Sequence, residues 1–340
     1  MNKFTNKSWF LGIDISKKSI DVALFSQSDV KQFEDKAFDN SLKGFDKMHS
    51  WLKRKKVPLT DILVCMEHTG TYGLLLFSWL TEKEIDFCVE PGLQIRKSLG
   101  IVRGKNDKVD ARRIAKYAFQ HKDSIKPYVL PAKNLLQIKQ LLTYRDQLVR
   151  IRSGLKTSLK NHQEYQQINQ LDYVTRDIEQ QIRHFNEKID YLEDQLLQVI
   201  NNDEQLKKNF DIARSVGGIG LIISAYMLVT TNNYTSFKDG RKYACYSGIA
   251  PFEHSSGSSI KGRTSVSNMA NKRIKALFSN GANVAYKYDP ELKAYYKRKR
   301  EEGKDHKLII NAISCKLINR VFAVVKRQSN YVSLYQQNFS

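Results

Sequence analysis

Apolar residues fall along this chain in two rhythms, and the first belongs to strands. Trp9 to Ile15 is a short apolar run containing Asp14 near its end; Ser16-Lys17-Lys18 reads as a turn, and Ile20 to Phe25 as a returning strand, which together predict a β-hairpin. Phe45, Met48, Trp51 and Leu52 suit a helix, Ile62 to Met66 reads as a buried strand ending at Glu67, and Phe87 to Val89 as another before Pro91-Gly92. Strands alternating with helices imply a mixed α/β sheet. Val109, Ile114, Ala115 and Ala118 then mark a helix.

The second rhythm is helical and much longer. Leu135, Ile138, Leu141, Leu142, Leu148, Ile151, Leu155 and Leu159 make one stripe. Leu171, Val174, Ile178, Ile182, Phe185, Ile189, Leu192, Leu196 and Val199 make the next. The glutamine-rich stretch from His162 to Gln170 either turns them into an antiparallel hairpin or continues one long helix. Such stripes are packing surfaces, and a coiled-coil arm able to join two subunits is the expectation. Further on, Ile223, Ala225, Tyr226 and Leu228 mark an apolar helix, and Leu308, Ile309, Ile313, Leu317, Val321 and Val325 a closing amphipathic one placed in the core. The expected organisation is an α/β domain over residues 1–130, coiled-coil helices over 131–205 and a mostly α domain over 206–330.

Composition narrows the function classes. The chain has 340 residues and a formal net charge of +21, with 41% apolar and 27% charged residues, which suits a folded globular chain rather than a disordered tail. Charge of this size costs self-repulsion and points to a polyanionic partner, nucleic acid first. It is unevenly placed: +7 over Arg96 to Lys126, −6 over Leu171 to Glu204 and +12 over Lys261 to Arg327. The longest apolar stretch, Ile219 to Val229, falls short of the roughly 20 residues of a membrane helix. Asp14 breaks the early apolar run before a signal-peptide core could form. Cys65, Cys88, Cys245 and Cys315 stand far apart without a Cys-x-x-Cys pair. These features lead to the expectation of a cytoplasmic protein with no membrane partner.

Candidate chemistry rests on four carboxylates. Asp14 and Glu67 lie at or near strand ends, where catalytic groups are commonly presented. Asp107 and Asp110, three apart on a helix, share one face at roughly 5 to 6 Å. Singly, each could cap a turn or pair with a nearby base. As a set, in this order, they match a metal-dependent nuclease core of the RNase H kind, whose acids hold two Mg²⁺ ions about 4 Å apart for phosphodiester chemistry.

Three blocks carry a resemblance: Gly12-Ile13-Asp14-Ile15-Ser16-Lys17, Glu67-His68-Thr69-Gly70-Thr71-Tyr72 and Lys105-Asn106-Asp107-Lys108-Val109-Asp110-Ala111. They resemble the motifs of the DEDD insertion-sequence transposases of the IS110 family, whose first domain is similar to the Holliday-junction resolvase RuvC. The resemblance implies an RNase-H-like (RuvC-like) N-terminal domain with Asp14, Glu67, Asp107 and Asp110 as the metal-binding acids.

The second half is read with that resemblance. Ser215-Val216-Gly217-Gly218-Ile219-Gly220 before a helix looks like the turn of a helix-hairpin-helix backbone binder, with Gly218 and Gly220 letting a phosphate approach. Ser247 to Arg263, rich in Ser and Gly, is expected to be a loop leading into a basic helix near Asn271. Its stretch from Gly248 to Gly257 is similar to the family block whose Ser-Gly serine is the nucleophile. Ser256 matches that serine, with Ser255 as the alternative. Phe252 stands where the family usually has a basic residue, and Asn268-Met269-Ala270-Asn271 where it has a Lys-x-Gly-Asn turn. Arg112, Arg113, Lys261, Arg263, Lys272 and Arg273 are candidate nucleic-acid contacts, and Tyr295-Tyr296 beside Lys297 to Arg300 could stack on unpaired bases.

The resemblance further implies a transposase and recombinase that excises and inserts a mobile element, guided by a bridge RNA pairing with donor and target DNA. It also implies a homo-oligomer, dimer or tetramer, associated with the bacterial nucleoid. Rival readings are a junction resolvase using water as nucleophile and a non-catalytic nucleic-acid-binding protein. A tyrosine recombinase ranks below both, because no Arg and His constellation leads to a C-terminal Tyr.

Overall fold

A computed structural model describes residues 3–98, 107–169, 172–250, 252–256, 260–265 and 270–333, with the backbone alone at 107, 165–169, 252–256 and 260–265. The chain divides into two compact units at Leu130/Pro131.

In the first unit, β1 (Trp9–Ile15), β2 (Ser19–Ser26) and β3 (Asp29–Asp39) form an antiparallel meander, and β4 (Ile62–Glu67) and β5 (Phe87–Glu90) add parallel to β1. The strand order β3-β2-β1-β4-β5 is consistent with an RNase-H-like fold. Alternation along β1 divides the core. Leu11, Ile13 and Ile15 face one cluster shared with Phe45, Met48 and Trp51 of α1 (Leu42–Arg54) and Leu76 and Leu80 of α2 (Leu74–Glu82). Phe10 faces the other cluster, with Leu63, Cys65, Cys88 and Ile114, Ala115 and Ala118 of α4 (Asp107–His121). The short α3 (Gly92–Ser98) adds Ile95 there. Neither β3 nor α2 stands among the sequence expectations. β3 is an edge strand and mostly exposed, so it lacks the apolar alternation that would reveal it.

The position of α4 is set by one glycine. A Cβ on Gly12 would run into the carbonyl oxygen of Ala111 and the backbone nitrogen of Ala115, so the helix lies with its backbone directly on β1. No other residue leaves that space.

The second unit opens with α5 (Lys133–Asn169) and α6 (Asp172–Asn201), an antiparallel pair. Arg145 meets Glu193 at 2.7 Å and Arg152 meets Asn186 at 2.8 Å, seven residues onward on one helix and seven back on the other. The two stripes are therefore an antiparallel pair rather than one long helix, with the glutamine-rich stretch part of α5 as far as Asn169, and the α6 stripe of Ile189, Leu192 and Leu196 is buried against α5 of the same chain. At the base, Leu135, Ile138, Leu142, Leu196 and Ile200 share one core with α7 (Glu204–Arg214) and α8 (Leu221–Thr230). There follow α9 (Gly240–Tyr246), a hairpin of β6 (Phe252–Ser256) and β7 (Ile260–Ser265), then α10 (Lys272–Tyr288), α11 (Pro290–Glu301) and α12 (His306–Arg327).

By length and composition α12 could cross a membrane, yet half of it is buried, and Ile309, Ile313, Leu317 and Val321 sit in the core of this unit. Its apolar character is accounted for by that packing. Leu308, placed in the core from the sequence, is instead 64% exposed: it stands one position off the buried stripe. The serine-rich segment expected to be a loop is in part the β6–β7 hairpin, because Phe252–Ser256 and Ile260–Ser265 pair as strands.

Gly12→Ala is expected to lower the stability of the protein by about 3 kcal/mol, the cost of overpacking against backbone that cannot move aside. Thermal unfolding of the variant beside wild type measures it; an unchanged melting temperature would show that α4 is not seated by this contact.

Candidate active site and nucleic-acid contacts

The sheet register brings more acids together than sequence spacing suggested. On β1, Asp14 shares the α4 face with Phe10 and Gly12, and on β4, Glu67 shares it with Leu63 and Cys65. Ile13 pairs with Met66, so the next step brings Asp14 and Glu67 level across adjacent parallel strands. Asp14 is also the cross-strand partner of Asp21, and Glu67 that of Glu90. Asp21, Asp14, Glu67 and Glu90 thus stand in a row over four neighbouring strands. Asp21 and Glu90 were missed because their partnership exists only in the register, which no local spacing reveals.

The fourth strand's acid is held by hydrogen bonds. Tyr117 of α4 receives a bond from Gln94 Nε2 at 2.9 Å and directs its hydroxyl to Glu90 Oε2 at 3.5 Å. Burial raises the Glu90 carboxyl above its ordinary range, while donation from Tyr117 works in the other direction. Burial, with the charge of Glu90, likewise pushes the Tyr117 hydroxyl up to about 12. Glu67 owes its place to another glycine: a Cβ on Gly92 would occupy the position of the Glu67 carboxylate.

Asp110 belongs to the first turn of α4, one residue before the contact with Gly12. Arg113 Nη1 donates to its Oδ1 at 2.6 Å. Arg112 reaches the other way, gripping Asp35 of β3 through Nε at 2.8 Å and through Nη2, with its guanidinium over the Phe33 ring. Both arginines, expected to contact nucleic acid, therefore make bonds inside the unit; Arg112 remains about half exposed. Asp107 is the first residue of α4, and its side chain lies outside the described residues.

Two loops beyond Asp14 and Glu67 are tied by Asn40. Its Nδ2 donates to the carbonyl of Ser16 at 2.9 Å and of Tyr72 at 3.1 Å, and its backbone nitrogen to Lys18 at 2.9 Å. One asparagine thus joins the turn after β1 to the loop after β4. Nothing in the local sequence marks it.

Oxygen donors of this kind suit a divalent cation. Among the described residues, however, no three acids, histidines or cysteines gather closely enough to form a metal centre: the acids line up rather than converge. The donor chemistry fits, and Asp107 is the member whose side chain is outside the description.

In the second unit, Ser255 and Ser256 are the last residues of β6, with Ser256 paired to Ile260 and Ser255 to Lys261 at the tip of the hairpin. Arg263 lies on β7. The side chains of these five residues lie outside the described set. Asn271 caps α10 by accepting from the Ile274 backbone, which leaves exposed Lys272 as its first residue. Arg273 turns inward. Its Nη2 meets Asp146 Oδ1 at 2.5 Å, Tyr226 donates to Asp146 Oδ2 at 2.6 Å, and the guanidinium stacks over the Tyr226 ring. Arg273 thereby ties α10 to α5 and α8. Gly218, at φ +89°, makes a close crossing with Gly281 of α10, where a Cβ would come 2.6 Å from the Gly281 carbonyl oxygen. Gly220 begins α8 and faces open space. Tyr296 is stacked on Tyr286 at 4.3 Å, and Tyr295 lies under Lys316.

The chain as a whole is similar to known transposases. Residues 11–165 match the DEDD transposase profile of the IS110 type, and residues 211–297 match the transposase IS116/IS110/IS902 family. The pilin gene-inverting protein of Moraxella bovis is 28% identical over 326 residues, covering 94% of this chain and 96% of that protein. The pilin gene-inverting protein of Moraxella lacunata matches to the same extent. A 43.6 kDa protein of insertion element IS110 from Streptomyces coelicolor is 31% identical over 122 residues, covering 36% of this chain and 30% of that protein. The chain belongs to the IS110 family of transposases.

The raised Glu90 pKa carries a sign that can be checked. A carboxyl whose folded pKa exceeds its unfolded value stabilises the fold below the unfolded value and loses that contribution as pH rises through the folded one. Glu90→Gln is therefore expected to gain in melting temperature over wild type above the carboxylate range, with the gain shrinking in acid. A gap independent of pH would contradict the assignment.

Proposed function

We propose that the protein is a DNA recombinase that excises and inserts a mobile element, with Asp14, Glu67, Asp107 and Asp110 as the metal-binding acids and Ser256 as the nucleophile. The observation that carries this reading is the level placement of Asp14 and Glu67 on one sheet face, beside a helix whose first turn supplies Asp107 and Asp110. Membership of the family supports the wider activity.

In this reading the Ser256 hydroxyl gives up its proton, its oxygen bonds to a DNA phosphorus, and the bond to a deoxyribose oxygen breaks. That oxygen leaves with the electron pair and takes a proton. The phosphodiester is thereby conserved as a serine–phosphate ester, which a deoxyribose hydroxyl of another strand can attack to rejoin DNA without further energy. Two Mg²⁺ ions held by the four acids would offset charge on a phosphate. Asp110 is oriented by Arg113, and Asn40 fixes the loops beyond Asp14 and Glu67.

Sequence choice in this proposal belongs to a bridge-type non-coding RNA that pairs with donor and target DNA, the protein reading shape and backbone. The net charge of +21 supports polyanionic partners of both kinds. A homo-oligomer, dimer or tetramer, would bring two duplexes together. Such a protein would work at the bacterial nucleoid.

The test combines purified protein, RNA copied from the non-coding flank of its gene, matched donor and target DNA and Mg²⁺. Wild type is expected to give recombinants and a protease-sensitive DNA adduct. Asp14→Asn should lower strand cleavage by at least about 100-fold, and Ser256→Ala should abolish both adduct and strand exchange. Equal products from wild type and Ser256→Ala would instead favour water as the nucleophile, and continued recombination by Asp14→Asn would remove the acids from the mechanism.

A further inference from the structure

The first unit carries a basic groove between the edge strand β3 and α1, the helix on the sheet face opposite to the acids. It measures about 390 Å³ and is lined by Ser19, Lys36, Lys47 and Arg54 over a floor of Ala37 and Phe38, with Asp39 at its rim. Strand alternation explains how it arises. Asp35 points to the α4 face, where Arg112 grips it, so Lys36 points to the α1 face, with its Nζ 5.5 Å from the centre of the Phe38 ring. Lys47 and Arg54 are seven residues apart on α1, two turns and about 10 Å along one side of the helix. Among the described residues, Lys36, Lys47 and Arg54 make no ion pair, whereas Glu34 of β3 is taken by Lys55 at 2.5 Å. The groove lining thus holds three cations and one carboxylate.

A charged edge strand has an ordinary explanation, since a lysine there blocks pairing with another sheet. That accounts for Lys36. It gives no reason for Lys47 and Arg54 to converge on the same hollow from a helix, at the expense of mutual repulsion. A phosphodiester backbone is the ligand whose charge and repeat answer three spaced, unpaired cations.

We infer that this groove binds a nucleic-acid backbone at a site separate from the acid row. The exposed Lys17 and Lys18 lie in the turn between β1 and β2, at the same end of the sheet as Asp14. They extend the basic surface from the groove toward the edge where the acids stand. A strand held in the groove can pass over that turn to the acid face, so the groove anchors DNA or RNA outside the reacting segment. The inference rests on the recombinase reading only for its supply of nucleic acid.

The test measures binding of the full-length protein to a short duplex DNA and to a structured RNA, both of arbitrary sequence, as a function of salt. Wild type is compared with a triple variant, Lys36→Gln, Lys47→Gln, Arg54→Gln, and with Asp14→Asn. The triple variant is expected to bind at least one of the two ligands tenfold or more weakly. On duplex DNA its log–log salt slope should be shallower by about 2 to 3, at roughly 0.9 per lost phosphate contact. Loss confined to DNA or to RNA identifies the anchored strand. Unchanged affinity and slope for both ligands would overturn the site. Wild type that binds neither ligand would sink the recombinase reading and the groove together. Loss in the triple variant with unchanged binding by Asp14→Asn shows that the groove acts apart from the acids. The three side chains lie on the surface, so the melting temperature should stay within a few degrees of wild type; Lys36→Glu alone provides a milder second variant.

Discussion

The backbone of α4 rests on the backbone of β1, and Gly12 is the reason that it can. Helix and strand normally meet through side chains that hold them about 10 Å apart. Here the absence of one Cβ lets the carbonyl of Ala111 descend onto the strand. Asp110 precedes that contact and Asp14 follows Gly12 by two residues, so the pair of glycine and alanine fixes how near the acids of helix and strand can come. Arg112 then secures the helix to the edge strand through Asp35, while Arg113 pairs with Asp110 one turn back on α4 itself. Ile114, Ala115 and Ala118 bury the rest against Phe10 and Cys65. The acids depend on this seat, because α4 carries Asp107 and Asp110 and β1 carries Asp14, and the contact at Gly12 sets how the two elements lie.

The second unit solves a similar problem in the same way. Gly218 and Gly281 cross with neither able to bear a side chain, which brings the turn before α8 onto α10. The bond of Arg273 to Asp146, with Tyr226 sharing the carboxylate, then joins the start of α10 to the helical hairpin. Because α10 begins just past the hairpin bearing Ser256, its anchoring determines where the end of that segment is held. These uses of charge alter the meaning of the net +21. Arg112, Arg113 and Arg273 are spent largely on holding the fold, and the cations left unpaired among the described residues include those of the groove on the α1 face.

Legibility from sequence followed the range of the interaction. Elements with strong apolar periods, such as β1, β2, β4, α5, α6 and α12, could be read directly, because a period of two or of three to four is itself the record of a buried face. β3 could not, since an exposed edge strand has no buried face to record. The acids followed the same rule. Asp14, Glu67, Asp107 and Asp110 announced themselves through short blocks, whereas Asp21 and Glu90 became visible only when β2 and β5 took their register. The Ser-Gly segment was misread as loop alone because its strands pair with each other over a few residues of polar, serine-rich sequence. Basic residues were the least legible: Arg273 and Lys272 are neighbours on one helix, yet one is committed to Asp146 and the other is exposed.

The row of carboxylates shows why burial and hydrogen bonding alone do not explain the site. Like charges on directly opposed strand positions weaken a sheet, and Asp14 faces Asp21 while Glu67 stands beside Glu90. A sheet chosen for stability would put threonine or valine at such positions. The fold reduces the cost: Arg113 balances Asp110, and burial raises the Glu90 carboxyl so that ionising it is disfavoured. Four carboxylates still stand in one row at the strand ends of a strongly basic protein. Local rules of stability are broken here and kept in the surrounding core, and that contrast is the pattern expected where residues are retained for chemistry. Cations distributed around the rest of the unit draw a polyanion in, while the acid strip repels bare phosphate. In the proposed reaction a phosphate would therefore come to the acids through contacts elsewhere on the surface, at a place that would not hold it by charge alone.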